Sequence, residues 1–319
     1  MGVCMLNFYK TVDNHMVQLA KEEPGCWAMA VRPTSEELSY LRDEMHLDAG
    51  FLSASLDEEE TSRTEKEEDQ TFVVVDVPYQ VEKDDEEVEE DPSVVFTTIP
   101  LGIIITPEYF VTISSKQSAL LDSFASGAVR GIQTRMRTRF LLTILFRIAQ
   151  RFLVHLRMIE RISGSMESQM HGSMKNEALI QLMGLQKSLV YISTSLRSNE
   201  ATLKRIARGN LVTLYEEDED LMQDVLIEIR QAMEMAEIYT NILASTMDAY
   251  ASIISNNLNI VMKVLTSVTV LMTIPTMVFS YYGMNVSGLQ VPVWWFPTLV
   301  SGVLALAALV LLIKFKMFK

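Results

Sequence analysis

Acidic residues are absent from the end of this chain. None occurs after Asp248, although the 319 residues include 41 acidic and 27 basic side chains. The charges that follow are four lysines, at Lys263, Lys314, Lys316 and Lys319. The whole chain has a net charge of −14, so without these four lysines the upstream part is more acidic still, which indicates an acidic, water-facing body joined to a membrane segment. An acidic body repels phosphate, so nucleic acid is not expected as a partner, whereas cations are.

Cysteine and catalytic motifs are also scarce. The only cysteines, Cys4 and Cys26, form no CxxC pair, so we expect two buried free thiols rather than a disulfide or a zinc site. The GxSxG, P-loop and HExxH patterns are missing and the four histidines are scattered, so no enzyme class is indicated. The chain does not open on a basic start followed by an apolar core, which predicts that the N-terminal body stays in the cytosol.

Two apolar runs fill the acid-free tail. Residues 261–282 and 291–313 each have about the 20 residues that a helix needs to cross a bilayer, and residues 283–290 connect them. Trp294 and Trp295 lie where an interfacial aromatic belt is expected. Lysines occur at the start of the first run and at the end of the second. The positive-inside rule therefore predicts a multi-pass cell-membrane protein with both termini in the cytosol and an outer loop at 283–290.

A long helix is predicted to lead into the first run. No glycine or proline occurs between Glu216 and Pro275, and apolar residues recur at helical spacing from about Asp218 onward. A single helix of this length would measure roughly 100 Å and would not be stable alone in water. Residues 134–170 and 176–207 show helical patterns as well, and we expect them to pack against it.

Hydroxyl side chains recur every three or four residues in the first apolar run, so they share one helix face. They are Thr266, Thr269, Thr273, Thr276 and Ser280. The face continues toward the cytosolic end through Met262, Asn259, Ser252 and Asp248. One interpretation is that each hydroxyl bonds the carbonyl four residues earlier, as in many membrane helices. The pattern favours a face that lines water, and because one helix cannot enclose a pore, it implies several copies around an axis.

The N-terminal part has the pattern of a mixed α/β layer. Short β-rich runs alternate with turn residues, and a helix is predicted after Thr34. Pro100 and Gly102 separate two such runs and predict a tight hairpin. The fold class is therefore an α+β cytosolic domain plus a long stalk helix running into a two-helix transmembrane region. The predicted domains are residues 1–133, the α/β domain; 134–260, the helical region with the stalk; and 261–319, the transmembrane region.

Two acidic stretches, at residues 57–69 and 82–91, flank the run TFVVVDV. Runs of like charge are usually solvated loops, which is the interpretation that the pattern favours. The alternative is that some of these carboxylates, Asp91 among them, hold divalent ions.

The tract YGMN at Tyr282–Asn285 resembles the signature of the CorA family of magnesium channels. The stretch NIVMKVLT at 259–266 is similar to the membrane entry of that family, and MDAY at 247–250 is similar to its stalk. The resemblance implies a homopentameric cation channel in a lipid bilayer with a cytosolic funnel. Divalent cations are then its partners, with Mg²⁺ both transported and regulatory and Co²⁺ as a further ion.

The resemblance also implies roles for individual residues. Gly283, Met284 and Asn285 would form the selectivity filter, in which Gly283 takes the backbone out of the helix and a ring of Asn285 carbonyls binds hydrated Mg²⁺. Met262 and Leu265 would form an apolar constriction. The residues that would line the pore are Thr276, Thr273, Thr269, Leu265, Met262, Asn259 and Asp248. Asp224, and Asp91 as a further candidate, would bind regulatory Mg²⁺ between subunits.

Two departures from the family pattern and two alternatives remain. The outer loop has no acidic residue, where many relatives have one, and Thr273 stands where relatives often have a bulkier apolar residue. A zinc transporter of the related ZntB type, or one for cobalt or nickel, is the first alternative. A scaffold domain anchored by two spans without conduction is the second.

Overall fold

A computed structural model describes residues 6–81, 94–170, 176–209, 212–284, 293, 295–315 and 317. The chain forms two compact units, Met1–Ala244 and Ser245–Lys319. The first unit holds a mixed sheet with helices on it, and the second holds two apolar helical segments. This confirms the predicted class, an α/β body with a long helix and an apolar C-terminal helix.

Seven strands form one sheet in the order β2-β1-β3-β7-β6-β5-β4. Neighbouring strands are antiparallel except β3 and β7, which are parallel. The strands are β1 Leu6–Val12, β2 His15–Leu19, β3 Trp27–Val31, β4 Arg63–Glu67, β5 Gln70–Gln80, β6 Phe96–Ile105 and β7 Phe110–Ser114.

Seven α-helices and one 3₁₀ turn are described. Three are short: α1 Ser35–Asp43, α2 Ala49–Ala54 and α3 Ala119–Ala125. Four are long: α4 Arg137–Met170, α5 Asn176–Ala207, α6 Glu219–Tyr282 and α7 Trp295–Lys314. The 3₁₀ turn Glu216–Asp218 directly precedes α6. The helical stretches predicted at 134–170, at 176–207 and from about 218 are thus confirmed.

The sheet buries both of its faces. On one side, Ala28 and Phe72 belong to a core cluster that includes residues of α1 and α2. On the other side, Trp27 and Phe110 meet Phe140 of α4, with ring centroids 5.4 Å and 4.5 Å apart. Alternate residues of each strand point to opposite faces, so the continuous apolar runs in the sequence reflect a sheet covered on both sides.

The predicted start of α1 is confirmed in detail. Thr34 accepts a hydrogen bond from the amide of Glu37, and the Glu37 carboxylate accepts one from the amide of Thr34 at 2.8 Å. This reciprocal capping satisfies amides that the first helical turn leaves free. Cys26 is a fully buried free thiol, as expected, whereas Cys4 lies outside the described residues.

The hairpin predicted at Pro100 and Gly102 is wrong, because both residues lie inside the single strand β6. Strand β7 pairs with β6 only from Leu101 onward. Proline has no backbone N–H, but Pro100 lies before this pairing begins, so the β6–β7 ladder loses no hydrogen bond there. A Cβ at Gly102 would lie 1.9 Å from Oγ of Ser55, which caps the C-terminal end of α2. Gly102 therefore serves a close helix–sheet approach and not a turn.

The first acidic stretch, residues 57–69, is only partly a loop. It contains the edge strand β4, in which Thr64 is 3% exposed and pairs with Val73. The charged residues of β4 are exposed or half-buried, and pairing with β5 includes this charged stretch in the sheet although its composition is that of a solvated loop. The second acidic stretch, 82–91, with Asp91, lies outside the described residues.

A polar contact joins α5 to the sheet where β4 begins. The Asn199 side chain accepts a hydrogen bond from the backbone amide of Asp76 at 2.9 Å and donates one to its carbonyl at 2.8 Å. Asn199 therefore pairs with the β5 backbone as a neighbouring strand would. Ser62 also donates to Asn199 at 2.9 Å, and the hydroxyls of Thr98 and Ser195 are 2.7 Å apart.

Burial raises the pKa of the Asp76 carboxyl, and hydrogen bonds from Ser195 and Ser62 oppose this effect only in part. Because the folded state holds the proton more tightly than the unfolded state, the ionised group costs stability. That cost grows as the pH rises from the ordinary aspartate pKa through the raised one. At neutral pH the charged Asp76 carboxylate therefore destabilises the folded state.

We predict that Asp76→Asn raises the melting temperature at pH 7 by a few degrees and flattens its decline between pH 4 and pH 7. The amide keeps hydrogen-bonding capacity toward both serines but carries no charge. Thermal unfolding of the full-length protein in detergent measures the effect. Asp13→Asn, at an exposed turn, is the matched control. A variant whose pH profile parallels the unmodified protein would show that Asp76 is not ionised at a cost.

Candidate pore-lining face

Helix α6 carries the first apolar run. It extends over 64 residues without a break, including at Pro275, so it is roughly 95 Å long. Helix α7 has 20 residues, enough to cross about 30 Å of hydrocarbon. By length and composition, these are the two helices among the described residues that could span a membrane. The predicted first span at 261–282 therefore lies within α6, and α7 covers most of the predicted second span.

One side of α6 packs inside the second unit. Ser267 is fully buried and Val278 is 9% exposed. The ring of Tyr282 meets that of Phe296 of α7 edge-on, with centroids 6.1 Å apart. Between residues 260 and 282, the buried or half-buried positions on this side are Ile260, Ser267, Leu271, Ile274, Pro275, Val278 and Tyr282.

The packed side of α7 carries small residues. Ser301 is 5% exposed, and Ala305 and Ala308 are half-buried on the same face. Small side chains allow membrane helices to approach closely. The role of Ser267 and Ser301 in this contact escaped the sequence analysis. Neither helix alone carried a signal for it, because the contact depends on the pairing of the two helices.

The hydroxyl stripe lies on the opposite side of α6. At about 100° per residue, Thr269 and Thr276 lie roughly half a turn from Ser267 and Val278, and Thr266 and Thr273 lie roughly a third of a turn from them. All four threonines are exposed, and so is Ser280. The contact with α7 therefore leaves the stripe uncovered, and the predicted sharing of one face is confirmed.

The threonine hydroxyls bond the preceding turn of the helix. Each donates to the carbonyl four residues earlier, at 2.8 to 2.9 Å; the acceptors are Met262, Leu265, Thr269 and Met272. A hydroxyl that has used its only proton still has lone pairs with which to accept. The stripe therefore presents acceptors outward, which suits the water shell of a cation. The local bonding and the water-facing interpretation are compatible with each other.

The other predicted residues of the stripe lie on the same side. Met262 is 51% and Leu265 is 58% exposed, and Asn259 and Asp248 are exposed too. Ser252 donates to the carbonyl of Asp248 at 3.0 Å. Polar and apolar members of this face thus remain free of contacts within the chain that would bury them.

Gly283 directly follows the last residue of α6, Tyr282, and its amide donates to the carbonyl of Phe279 at 2.9 Å. The predicted exit of the backbone from the helix at Gly283 stays a prediction. A Cβ at this position would lie 3.0 Å from the same oxygen, which explains why glycine suits the site. Met284 follows with a longer amide bond to Tyr281, at 3.5 Å, while Asn285 lies outside the described residues.

The predicted regulatory site between subunits stays a prediction. Asp224 is exposed on α6, and Asp91 lies outside the described residues. Within the described ranges, no group of three or more His, Cys, Asp or Glu side chains could share a metal ion.

The N-terminal end of α6 makes contacts with α4 that the sequence did not reveal. Asp218, in the 3₁₀ turn before α6, is 3% exposed, and its carboxylate lies 3.8 Å from Nη1 of Arg139 on α4. Further along, Tyr239 donates its hydroxyl to Glu160 of α4 at 2.8 Å. Burial, followed by this bond, raises the pKa of Tyr239. These contacts supply the neighbours that a long helix needs in water.

The architecture is that of a membrane ion transporter with an α/β body and two apolar helices. The CorA-like Mg²⁺ transporter protein family matches residues 22–318, and the chain belongs to this family of transporters, which are not enzymes. The cobalt/magnesium transport protein CorA of Methanocaldococcus jannaschii is 29% identical over 265 residues, which are 82% of this chain and 80% of the relative.

Two solved structures share the fold. The complete structure of the CorA magnesium transporter from Methanocaldococcus jannaschii has a TM-score of 0.79 at 23% identity, covering 99% of this chain and 98% of that one. The ZntB cytoplasmic domain from Vibrio parahaemolyticus has a TM-score of 0.62 at 12% identity, and the match covers 80% of this chain and 100% of that domain. At these identities the likeness concerns the fold alone.

We predict that Ser267→Leu lowers the melting temperature of the protein in detergent, because the fully buried site has no room for a larger side chain. Overpacking of this kind typically costs about 1–3 kcal/mol. Val268→Leu, at the neighbouring exposed position, is the matched control and should be neutral. Equal melting temperatures for both variants would contradict the assignment of Ser267 to the packed side.

Proposed function

We propose that this chain forms a homopentameric channel through which Mg²⁺ enters the cell passively. The observation that carries the proposal is the position of the hydroxyl stripe. It runs along a membrane helix on the side that α7 leaves uncovered. A row of acceptors facing lipid would accept no hydrogen bonds, whereas the same row facing a water-filled axis can bind the hydration shell of an ion.

The pore requires several copies of α6. A single helix cannot enclose an axis, and closed rings of identical subunits are the usual solution. Five copies is the number that the family resemblance implies. In such a ring α6 lines the axis and α7 lies between α6 and the lipid, which agrees with the apolar composition of α7.

Selection would occur at the outer end, at Gly283, Met284 and Asn285. Mg²⁺ is small and loses its water reluctantly, so a filter of neutral oxygens can bind the hydrated ion without trapping it. Asn285 supplies a side-chain carbonyl for this ring. Helix α6 ends at Tyr282, so the proposed filter begins directly where the helix ends.

The gate would lie deeper, where Met262 and Leu265 share the exposed side of α6. A ring of apolar side chains excludes water from a narrow pore and so blocks ions. Asn259 and Asp248 follow toward the cytosol, where a carboxylate ring would attract cations. Thr269, Thr273 and Thr276 would line the wider section above the gate.

Closure would depend on cytosolic Mg²⁺ bound at Asp224, with Asp91 as a candidate partner from another subunit. Ions that bridge carboxylates between subunits favour a symmetric closed ring. Their loss leaves like charges facing each other and shifts the population toward open states. In this form of sensing, the loss of Mg²⁺ from the regulatory sites would open the channel and restore Mg²⁺ uptake.

Inward flow needs no other energy source. A divalent ion that crosses a potential of 100 mV releases about 4.6 kcal/mol. The direction requires the acidic body and both termini on the cytosolic side, in the cell membrane, as the lysine distribution predicts. The functional division into residues 1–133, 134–260 and 261–319 follows these roles.

We predict that Asn285→Ala abolishes Mg²⁺ uptake into proteoliposomes while the assembly remains intact by gel filtration, because the filter loses its ring of carbonyls. Gln290→Ala, in the same loop, is the control and should conduct normally. Uptake of Mg²⁺, Co²⁺ and Zn²⁺ is measured side by side with ion-selective dyes. Undiminished Mg²⁺ flux in the Asn285 variant would remove the filter assignment.

The same assay decides between the proposal and its alternatives. The shared fold with the ZntB cytoplasmic domain is the observation that keeps a ZntB-type transporter as the second candidate. Preferred uptake of Zn²⁺ over Mg²⁺ would support that candidate. Absence of flux for all three ions in the unmodified protein would support a non-conducting scaffold.

We predict that Asp224→Ala keeps the channel conducting at millimolar internal Mg²⁺, where the unmodified protein closes, because the bridging carboxylate is missing. Asp220→Ala, one turn earlier on α6, is the matched control. The measurement is Mg²⁺ uptake at increasing internal Mg²⁺. Unchanged inhibition in the Asp224 variant would assign sensing to other residues.

A further inference from the structure

A groove in the first unit lies apart from the pore-lining face. It runs between α3 and α4 and has a volume of ≈ 330 Å³. Leu120 and Val129 form an apolar wall. Arg147 and Arg151, one turn apart on α4, line the groove together with Gln150. Its volume is within the range of small-molecule sites.

Among the described residues, neither arginine has a carboxylate within ion-pair distance. Arg147 donates from Nη1 to the neutral Oε1 of Gln150 at 3.0 Å. Arg151 is half-buried and makes no side-chain hydrogen bond or ion pair with any described residue. Like charges one helical turn apart repel each other, and a guanidinium withdrawn from water without a partner is costly.

A shortage of carboxylates does not explain this arrangement. The chain has 41 acidic residues against 27 basic ones, yet none lies within ion-pair distance of Arg151 in the described part. Asp122 attracts Arg151 from a distance, but its carboxylate accepts a hydrogen bond from Gln117 at 3.2 Å. Burial lowers the pKa of Arg151 despite this attraction. The groove therefore holds two guanidinium groups beside an apolar wall, with Asp122 as a distant opposite charge and no described carboxylate within ion-pair distance.

We propose that this groove binds a phosphate-bearing organic anion through the guanidinium groups of Arg147 and Arg151. The planar fork of arginine matches phosphate oxygens in a bidentate manner. The apolar wall accommodates the organic part of the ligand. Ser123 donates its hydroxyl to the carbonyl of Leu120 at 2.6 Å, so it has no proton for the ligand, and the positive donors are the two arginines. The inference does not depend on the function proposed for the pore.

The test is isothermal titration calorimetry on the full-length protein in detergent, with EDTA present so that divalent ions do not contribute. The probes are ATP, tripolyphosphate and dihexanoyl phosphatidic acid. We expect saturable binding of at least one probe. Binding of ATP or tripolyphosphate assigns the ligand to soluble phosphates, and binding of phosphatidic acid alone assigns it to lipid headgroups.

The double variant Arg147→Gln/Arg151→Gln should bind at least about tenfold more weakly, because charge-assisted hydrogen bonds are lost. Arg157→Gln, at an exposed position on the same helix and outside the groove, is the matched control and should bind normally. Arg147→Lys/Arg151→Lys keeps the charge without the fork and should be intermediate, which preserves the test if the glutamine variant does not fold.

Two results would overturn the proposal. One is the absence of saturable binding of all three probes up to about 10 mM. The other is equal affinity in the unmodified protein and in both double variants.

Discussion

The contact between α6 and α7 determines which side of the first membrane helix is free, and the account of ion conduction depends on it. Ser267 and Val278 face inward in the second unit, with Ser301 and the alanines of α7 on the packed side of the other helix. The hydroxyl stripe is then left on the outer side of the pair. In hydrocarbon, a polar row without partners is costly, so a second environment for it is required.

The chemistry of the stripe fits a cation better than an anion. Each threonine proton is already used by a carbonyl of the preceding turn, at Met262, Leu265, Thr269 and Met272. What remains are oxygen lone pairs, which accept hydrogen bonds from the water around a cation. Neutral oxygens attract a divalent ion less strongly than carboxylates do, so the ion can also leave. No acidic residue occurs in this part of the chain, in keeping with that requirement.

The sequence predicted best what depends on periodicity. The long helices, the capped start of α1 and the shared face of the threonines all follow from spacing along the chain, which local geometry enforces. The failures occurred where a distant contact overrides a local signal. Gly102 indicates a turn by itself, but in the fold it makes room for Ser55.

The candidate site was predicted in part for the same reason. The stripe could be predicted because it belongs to one helix. The packing role of Ser267 and Ser301 could not be predicted, because it depends on the pairing of two helices. Neither helix alone determines that pairing. Gly283 follows the last residue of α6, and the close approach of the Phe279 carbonyl to its Cβ position is visible only in three dimensions. Arg151 likewise became notable only once the described residues around it were known to hold no carboxylate within ion-pair distance.

The most direct test of the central claim is the structure of the purified protein in lipid nanodiscs by electron cryomicroscopy. The account predicts a closed ring of identical subunits in which Thr266, Thr269, Thr273 and Thr276 face a hydrated central axis and α7 faces lipid. A particle without a central symmetry axis, or a ring in which these threonines face the lipid, would contradict it.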